Sequence, residues 1–303
     1  MKKITLPDLD QSVLASLEYF EKKKPQNLDL TKFQFPLAVG SGNAYNTALA
    51  LFSNRPAIIA NESNLKAISL GLENPIKKKV IDRALLISAS GEKDSIWEAK
   101  LLKKIGLKTT LLTCNPDSSA GRLVDEVLLF DKLPEPYTYN TSTYLGILLG
   151  AGSEKAKNIK KSISSLKIPK NFSKYKAYSF ILPDELENIG KMIEIKRDEL
   201  FGAHLPIRAF SFGAARHAKF VNEWKDELVI SFGKNRYFGS PENRLEIPWP
   251  KNGGPASMMA LSYYLIGLIQ KKMPPYFKNN IAAFCKNGPA AFGQKKNFDL
   301  IVS

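Results

Sequence analysis

The sequence predicts an α/β chain: a three-layer, doubly wound parallel sheet of five strands, followed by a second, abbreviated α/β unit. Three observations carry this. Between residues 35 and 150, short apolar runs alternate with amphipathic segments, the signature of a parallel sheet wrapped by helices. Two of those runs end abruptly in serine- and glycine-rich loops that lead into helical segments. After a lysine-rich stretch, the same alternation restarts near residue 175.

In chain order, DQSVLASLEYFEKKK (residues 10–24) has helical character and belongs to an N-terminal helical segment, residues 1–34, that packs on the first domain or on a partner. The first domain spans residues 35–152. Its strands are FPLAV (35–39), AIIA (57–60), ALLIS (84–88), TTLLT (109–113) and EVLLF (126–130). Residues 45–52, 64–72, 95–106 and 120–125 carry helical spacing between them, with Gly106 as a helix stop. Residues 153–176 hold eight lysines and one glutamate and read as a solvated helix with a basic linker, assigned to 153–174. The second unit, 175–303, opens with YKAYSFIL as a strand and LENIGKMIEIKRDELFG as an amphipathic helix whose buried stripe is Leu186, Ile189, Ile193 and Leu200. Only one clear strand (228–232) and an edge piece (245–247) follow, so a βαβ unit is trimmed before the apolar helix at 256–269.

Composition narrows the function classes. A chain of 303 residues with 44% apolar and 10% aromatic content has enough apolar area for well-filled cores. Asp8 and Asp10 interrupt the amino terminus where an export signal needs an unbroken apolar segment. The most apolar helix is about 14 residues long, short of the roughly 20 that cross a bilayer. Cys114 and Cys285 are far apart and form no CxxC, which points to neither a disulfide framework nor a zinc site, and to a reducing cytoplasm. The net charge of +15 favours anionic ligands, but the lysines are scattered in pairs and triples. No recognition helix with interleaved aromatics gathers them, so nucleic acid is not the expected partner.

In a doubly wound sheet, ligands bind outside the carboxyl ends of the strands. Two loops there suit anions: Gly40-Ser41-Gly42-Asn43 and Ser88-Ala89-Ser90-Gly91. Glycine lets backbone N–H groups approach a ligand, and the following helix presents its positive end. A lone Gly-x-Gly also suits a dinucleotide site, but the third glycine and the acidic residue on the next strand are missing, Glu62 being a poor substitute.

These residues resemble a known family, the sugar isomerase (SIS) domain, with its flavodoxin-like sheet. Its third strand typically ends in Ser-x-Ser-Gly-x-Thr followed by an acidic residue and a helix, and LISASGEKDSIWEAKLLKKIGLKTTLLT is similar to that unit. VGSGNAYNTA resembles the family's Gly-Thr-Ser-Tyr loop, with Ala44 where serine is usual. PEPYTYNTSTYLGILLGA resembles the Glu-bearing loop and Ser/Thr-rich helix start that close the domain. The resemblance implies a small-molecule phosphosugar partner held by Ser41, Gly42, Asn43, Ser88, Ala89, Ser90 and Gly91, with Glu135 and Thr138 from the closing loop. Lys93 stands where a threonine is usual; as a point charge it can replace that hydroxyl on a phosphate, and Ser95 can supply a substitute hydroxyl.

The second half resembles a second, degenerate SIS domain. By that resemblance Lys196 and Glu199 match a Lys-x-x-Glu helix, Glu199 being the base, His217 the ring-opening histidine and His204 its neighbour. In the tail, Lys286, in preference to Lys278, matches a lysine on a mobile active-site segment. Ala214, Ala215, Ala218 and Lys219 depart from the Glu and Gly-Pro that relatives commonly show. The implied function is an aldose–ketose isomerase or an amino-sugar-phosphate isomerase or deaminase. It would act by proton transfer with neither metal nor cofactor, as a homodimer with shared sites and away from membranes. The alternative is a non-catalytic module that binds or senses a sugar phosphate.

Overall fold

The computed structural model describes residues 6–218 and 224–302. Helix α1 (Leu9–Lys22) precedes a sheet built from β1 (Leu37–Gly40), β2 (Ile58–Ala60), β3 (Arg83–Ile87), β4 (Lys108–Thr113) and β5 (Glu126–Leu129). Helices α2 (Asn43–Leu51), α3 (Leu65–Gly71), α4 (Glu73–Lys77) and α5 (Asp94–Lys104) connect its first four strands. A short strand, β6 (Glu135–Pro136), leads into α6 (Thr141–Ala151) and α7 (Ala156–Ser164). The second sheet comprises β7 (Ala177–Leu182), β8 (Ile207–Ser211), β9 (Glu227–Phe232) and β10 (Arg244–Ile247), with α8 (Gly190–Phe201) before β8 and α9 (Phe212–His217) after it. Helices α10 (Pro255–Gln270) and α11 (Tyr276–Asn287) and the two-residue β11 (Ile301–Val302) follow.

The first sheet has the order β2-β1-β3-β4-β5 with every pairing parallel. That is the flavodoxin-like order, and the five predicted runs are its five strands. Strands β1 and β3 read as continuous apolar runs because helices cover both faces of the sheet. Register sets the position of the site. Gly40, Ile87, Leu112 and Leu128 pair in one row, so the loops after β1, β3, β4 and β5 leave the sheet at the same edge.

The segment expected to be helical at 120–125 forms only a single 3₁₀ turn, Gly121–Leu123. Groups outside it take its first backbone donors: Gly91 O accepts from Ala120 N (3.0 Å) and Ser118 Oγ from Gly121 N (3.2 Å).

The second sheet has the order β10-β9-β7-β8, again parallel. Strand β8, IRAFS, is absent from the sequence reading. It is an edge strand that buries only its end residues, so it lacks the continuous apolar run of its neighbours. The helix expected from residue 186 breaks into a 3₁₀ stretch, Asp184–Ile189, and α8, with Leu186 off helical geometry (φ −114°, ψ 15°). Leu186, Ile189, Ile193 and Leu200 are all buried, as their spacing predicts.

The basic stretch is more than a linker. Helix α7 buries Ala156, Ile159 and Ile163 and packs on α1 and α10. Its one carboxylate, Glu154, accepts from the backbone N–H groups of Gly254, Ala256 and Ser257 at 2.8–2.9 Å and so caps the N-terminus of α10. Apolar nearly all round, α10 is buried nearly all round, and α1 lies across α6, α7 and α10. No helix among the described residues is long and apolar enough to cross a membrane. Lys219, in the stretch around His217, lies outside the described residues.

Candidate active site

A cleft of about 790 Å³ lies outside the carboxyl ends of the first sheet. The loops after β1, β3 and β4 form its floor, Lys132 and Thr138 form one side, and Glu199, near the end of α8, faces in from the second unit. Residues of the C-terminal segment, 284–302, close over it.

Ser41, Gly42 and Asn43 line the cleft from the first loop and Ser88, Ala89 and Ser90 from the second. Each loop turns into its helix through the same unusual backbone conformation: Gly42 at φ 56°, ψ −124° before α2, and Lys93 at φ 59°, ψ −124° before α5. Glycine adopts this freely, whereas a lysine held there costs of order 1–3 kcal/mol. The second loop is internally tied. Ser88 Oγ accepts from Gly91 N (3.1 Å) and Ser90 Oγ from Glu92 N (3.3 Å), so each hydroxyl keeps its hydrogen to donate to an anion. Ser95 Oγ donates to Glu92 O (2.7 Å), which makes it a brace of the loop and not the substitute donor expected of it.

Lys93 lines the cleft, and its ammonium is engaged by the C-terminal segment. Its Nζ donates to Tyr137 Oη (2.8 Å) and lies 4.0 Å and 4.4 Å from the ring centroids of Phe298 and Phe292. Burial among the rings pushes its pKa down. Tyr137 stacks on Phe298 (4.7 Å) and donates its backbone N–H to Leu300 O, beside the antiparallel pairing of β11 with β6. Lys93 therefore fastens the C-terminal segment over the cleft. Replacing Lys93 with methionine should speed amide exchange in residues 288–302 by roughly five- to tenfold, the worth of a partly desolvated cation–π contact. Unchanged exchange would mean that the β11–β6 pairing alone holds the segment.

Across the cleft, Lys196 is completely buried; its Nζ donates to Glu199 Oε2 (2.6 Å) and to Thr138 O (2.7 Å). The Glu199 side chain is 24% exposed, through the cleft. Burial raises its pKa, and the Lys196 ammonium pulls it partly back. Thr138 has φ 78°, and its buried Oγ1 has no partner, so a polar group is available on this wall.

Other expected residues lie elsewhere. His217 is exposed at the end of α9 and does not line the cleft, and His204 packs on the Tyr276 ring at 5.0 Å. Lys286 is exposed and off the cleft because α11 turns Phe277, Ile281 and Cys285 inward. Glu135 does not line the cleft. Its carboxylate accepts from Thr141 N, Ser142 N and Ser142 Oγ (2.6–2.9 Å), capping α6.

Two charged cleft residues that bear on the chemistry, Glu98 and Lys132, are among those missing from the sequence reading. Glu98 is 1% exposed, accepts from Ser41 Oγ (3.1 Å) and is pushed up to about 7, chiefly by burial. Lys132, half-buried just past β5, has its pKa lowered by burial. The carboxyl-end rule contains the signal for Lys132, a cation two residues past the fifth apolar run; a glutamate on a helix gives none. Among the described residues, no cluster of His, Cys, Asp or Glu is spaced to hold a metal ion.

No family model matches the sequence, and no curated protein matches it at a significant level. Solved structures do. Glucosamine-6-phosphate deaminase from Thermotoga maritima aligns over 88% of this chain and 95% of its own, with a TM-score of 0.61 and 16% identity. The C-terminal domain of glucosamine-fructose-6-phosphate aminotransferase from Francisella tularensis aligns over 91% and 95%, with a TM-score of 0.60 and 14% identity. The chain has the SIS fold. A third structure of this fold, tagatose-6-phosphate ketose/aldose isomerase from Escherichia coli, covers 88% of this chain and 89% of its own (TM-score 0.56, 13% identity). At these identities the SIS fold is what the likeness shows, and the chemistry must be argued from the cleft.

Proposed function

We propose that this chain binds a phosphosugar and moves a proton between adjacent carbons of its open form, as an aldose–ketose isomerase or an amino-sugar-phosphate isomerase or deaminase. The observation that carries the proposal is the buried Lys196–Glu199 pair opening into the same cleft as the Ser88–Ser90 loop. The Ser88 and Ser90 hydroxyls, the N-terminus of α5 and Lys132 supply donors and positive charge for a phosphate. Glu199 takes the proton from the carbon beside the carbonyl, leaving an enediolate; the adjacent hydroxyl's proton passes to the former carbonyl oxygen, and Glu199 returns its proton to the neighbouring carbon. His217, exposed and off its own chain's cleft, is a residue that a homodimer with shared sites would employ. Two free cysteines accord with a cytoplasmic setting.

A second reading, a binding module without turnover, draws on a specific observation: neither histidine lines the cleft of its own chain. Incubating the protein with fructose 6-phosphate, glucose 6-phosphate, mannose 6-phosphate and glucosamine 6-phosphate, followed by NMR, separates the two. Interconversion or ammonia release is the expected result. Thermal stabilisation without turnover would favour the binding module, and the absence of both would sink each reading.

A further inference from the structure

The first anion loop shares its serine with a buried acid. Ser41 Oγ donates to Glu98 Oε1 across the gap between the β1–α2 loop and α5, and both residues line the cleft. While Glu98 is ionised it accepts the Ser41 hydrogen, so Ser41 turns lone pairs toward an incoming anion and a second negative charge lies beside it. Once Glu98 is protonated, its O–H can donate to Ser41 Oγ, and the serine hydrogen is released toward the anion.

We infer that Glu98 is a positioning residue that links anion binding in this cleft to the uptake of one proton, acting through Ser41. The inference rests on the phosphosugar reading of the same cleft. The charged groups set against Glu98 are acidic: Asp94 on its own helix and Glu62 from the turn after β2 both raise its proton affinity, after burial. Lys66, facing α5 from α3, stacks on the Trp97 ring at 5.2 Å, and Lys93 is held among its aromatic rings. Among the described residues, no cation forms an ion pair with Glu98. The carboxyl therefore titrates near neutrality, where a sugar phosphate is already a dianion because its second pKa is about 6.

The test is calorimetric titration with fructose 6-phosphate and glucose 6-phosphate at about pH 6.5 and about pH 8.5, each in two buffers of different ionisation enthalpy. The wild-type chain should bind about tenfold or more weakly at the higher pH and take up close to one proton per ligand there. Glu98→Gln keeps an acceptor and a donor beside Ser41 without titrating. It should bind equally at both pH values with no proton uptake, while a thermal melt confirms its fold. Equal pH profiles in the two proteins, or no proton uptake by the wild type, overturn the role of Glu98 and leave the phosphosugar reading standing. No binding of either sugar phosphate at either pH overturns both.

Discussion

Glu199→Gln should lower sugar-phosphate interconversion by about 10²–10⁴-fold while the same ligands still bind, because the amide keeps the shape of the carboxylate but cannot accept a proton from carbon. The amide oxygen can still accept from Lys196 Nζ, and the ammonium keeps Thr138 O at 2.7 Å and the Tyr263 ring at 5.4 Å. Stability should therefore fall by less than the 3–5 kcal/mol, roughly, that follows when a buried charge loses its only partner. Removing the cation instead tests the assignment from the other side. In Lys196→Met the pull that lowers the Glu199 pKa disappears while burial remains, so the carboxyl holds its proton to higher pH. A base works only when ionised, so the acidic limb of the pH–rate profile should move upward. A profile that stays in place would mean that another group is the base, and full activity in Glu199→Gln would mean the same.

What was legible in the sequence depended on how local its cause is. Strands β1 and β3 are readable because a parallel strand covered on both faces is written as an uninterrupted apolar run, and the edge strand β5 because its run stays apolar although Val127 and Leu129 are exposed. The serine and glycine loops are readable because their position after a strand and before a helix is itself sequential. Only their resemblance to a family Lys-x-x-Glu helix singles out Lys196 and Glu199 in the sequence, and the structure joins the two at 2.6 Å. Strand β8 lies at a sheet edge, exposes Arg208 and half-exposes Ala209 and Phe210, and so leaves no apolar run to read. Lys93 shows the other limit. Its partners, Phe292 and Phe298, lie about two hundred residues further along, and only the β11–β6 pairing brings them back, so no local pattern reveals that the lysine serves the C-terminal segment. Glu135 has a local cause of a different kind: a carboxylate six residues before Thr141 can serve either a ligand or the free N–H groups of a helix, and the helix takes it here.

Gly91→Ala should cost about 2–4 kcal/mol of stability and abolish phosphosugar binding, the sum of a left-handed backbone penalty and an overpacked contact. Gly91 has φ +63°, and a Cβ there would lie 2.3 Å from Ser118 Cβ and 2.7 Å from Ser118 Oγ. Ser118 is 1% exposed and its hydroxyl already accepts from Gly121 N, so it has no room to turn away. The two loops must then part. The bonds between them include Ala120 N to Gly91 O (3.0 Å), Ser119 N to Glu92 Oε1 (2.8 Å), Cys114 N to Ala89 O (3.0 Å) and Asn115 Nδ2 to Ser90 O (3.1 Å), and they hold Ser88 and Ser90 at the floor of the cleft. At roughly 2–4 °C per kcal/mol for a chain of this size or somewhat smaller, the melting temperature should drop by several degrees. Gly91→Ala combined with Ser118→Gly removes the clash but keeps the backbone penalty. It should recover part of the stability and, because the loops can close again, ligand binding as well. Recovered stability without recovered binding would show that the Ser88–Ser90 loop is a structural turn and that the anion is held elsewhere in the cleft, with Lys132 as the next residue to replace.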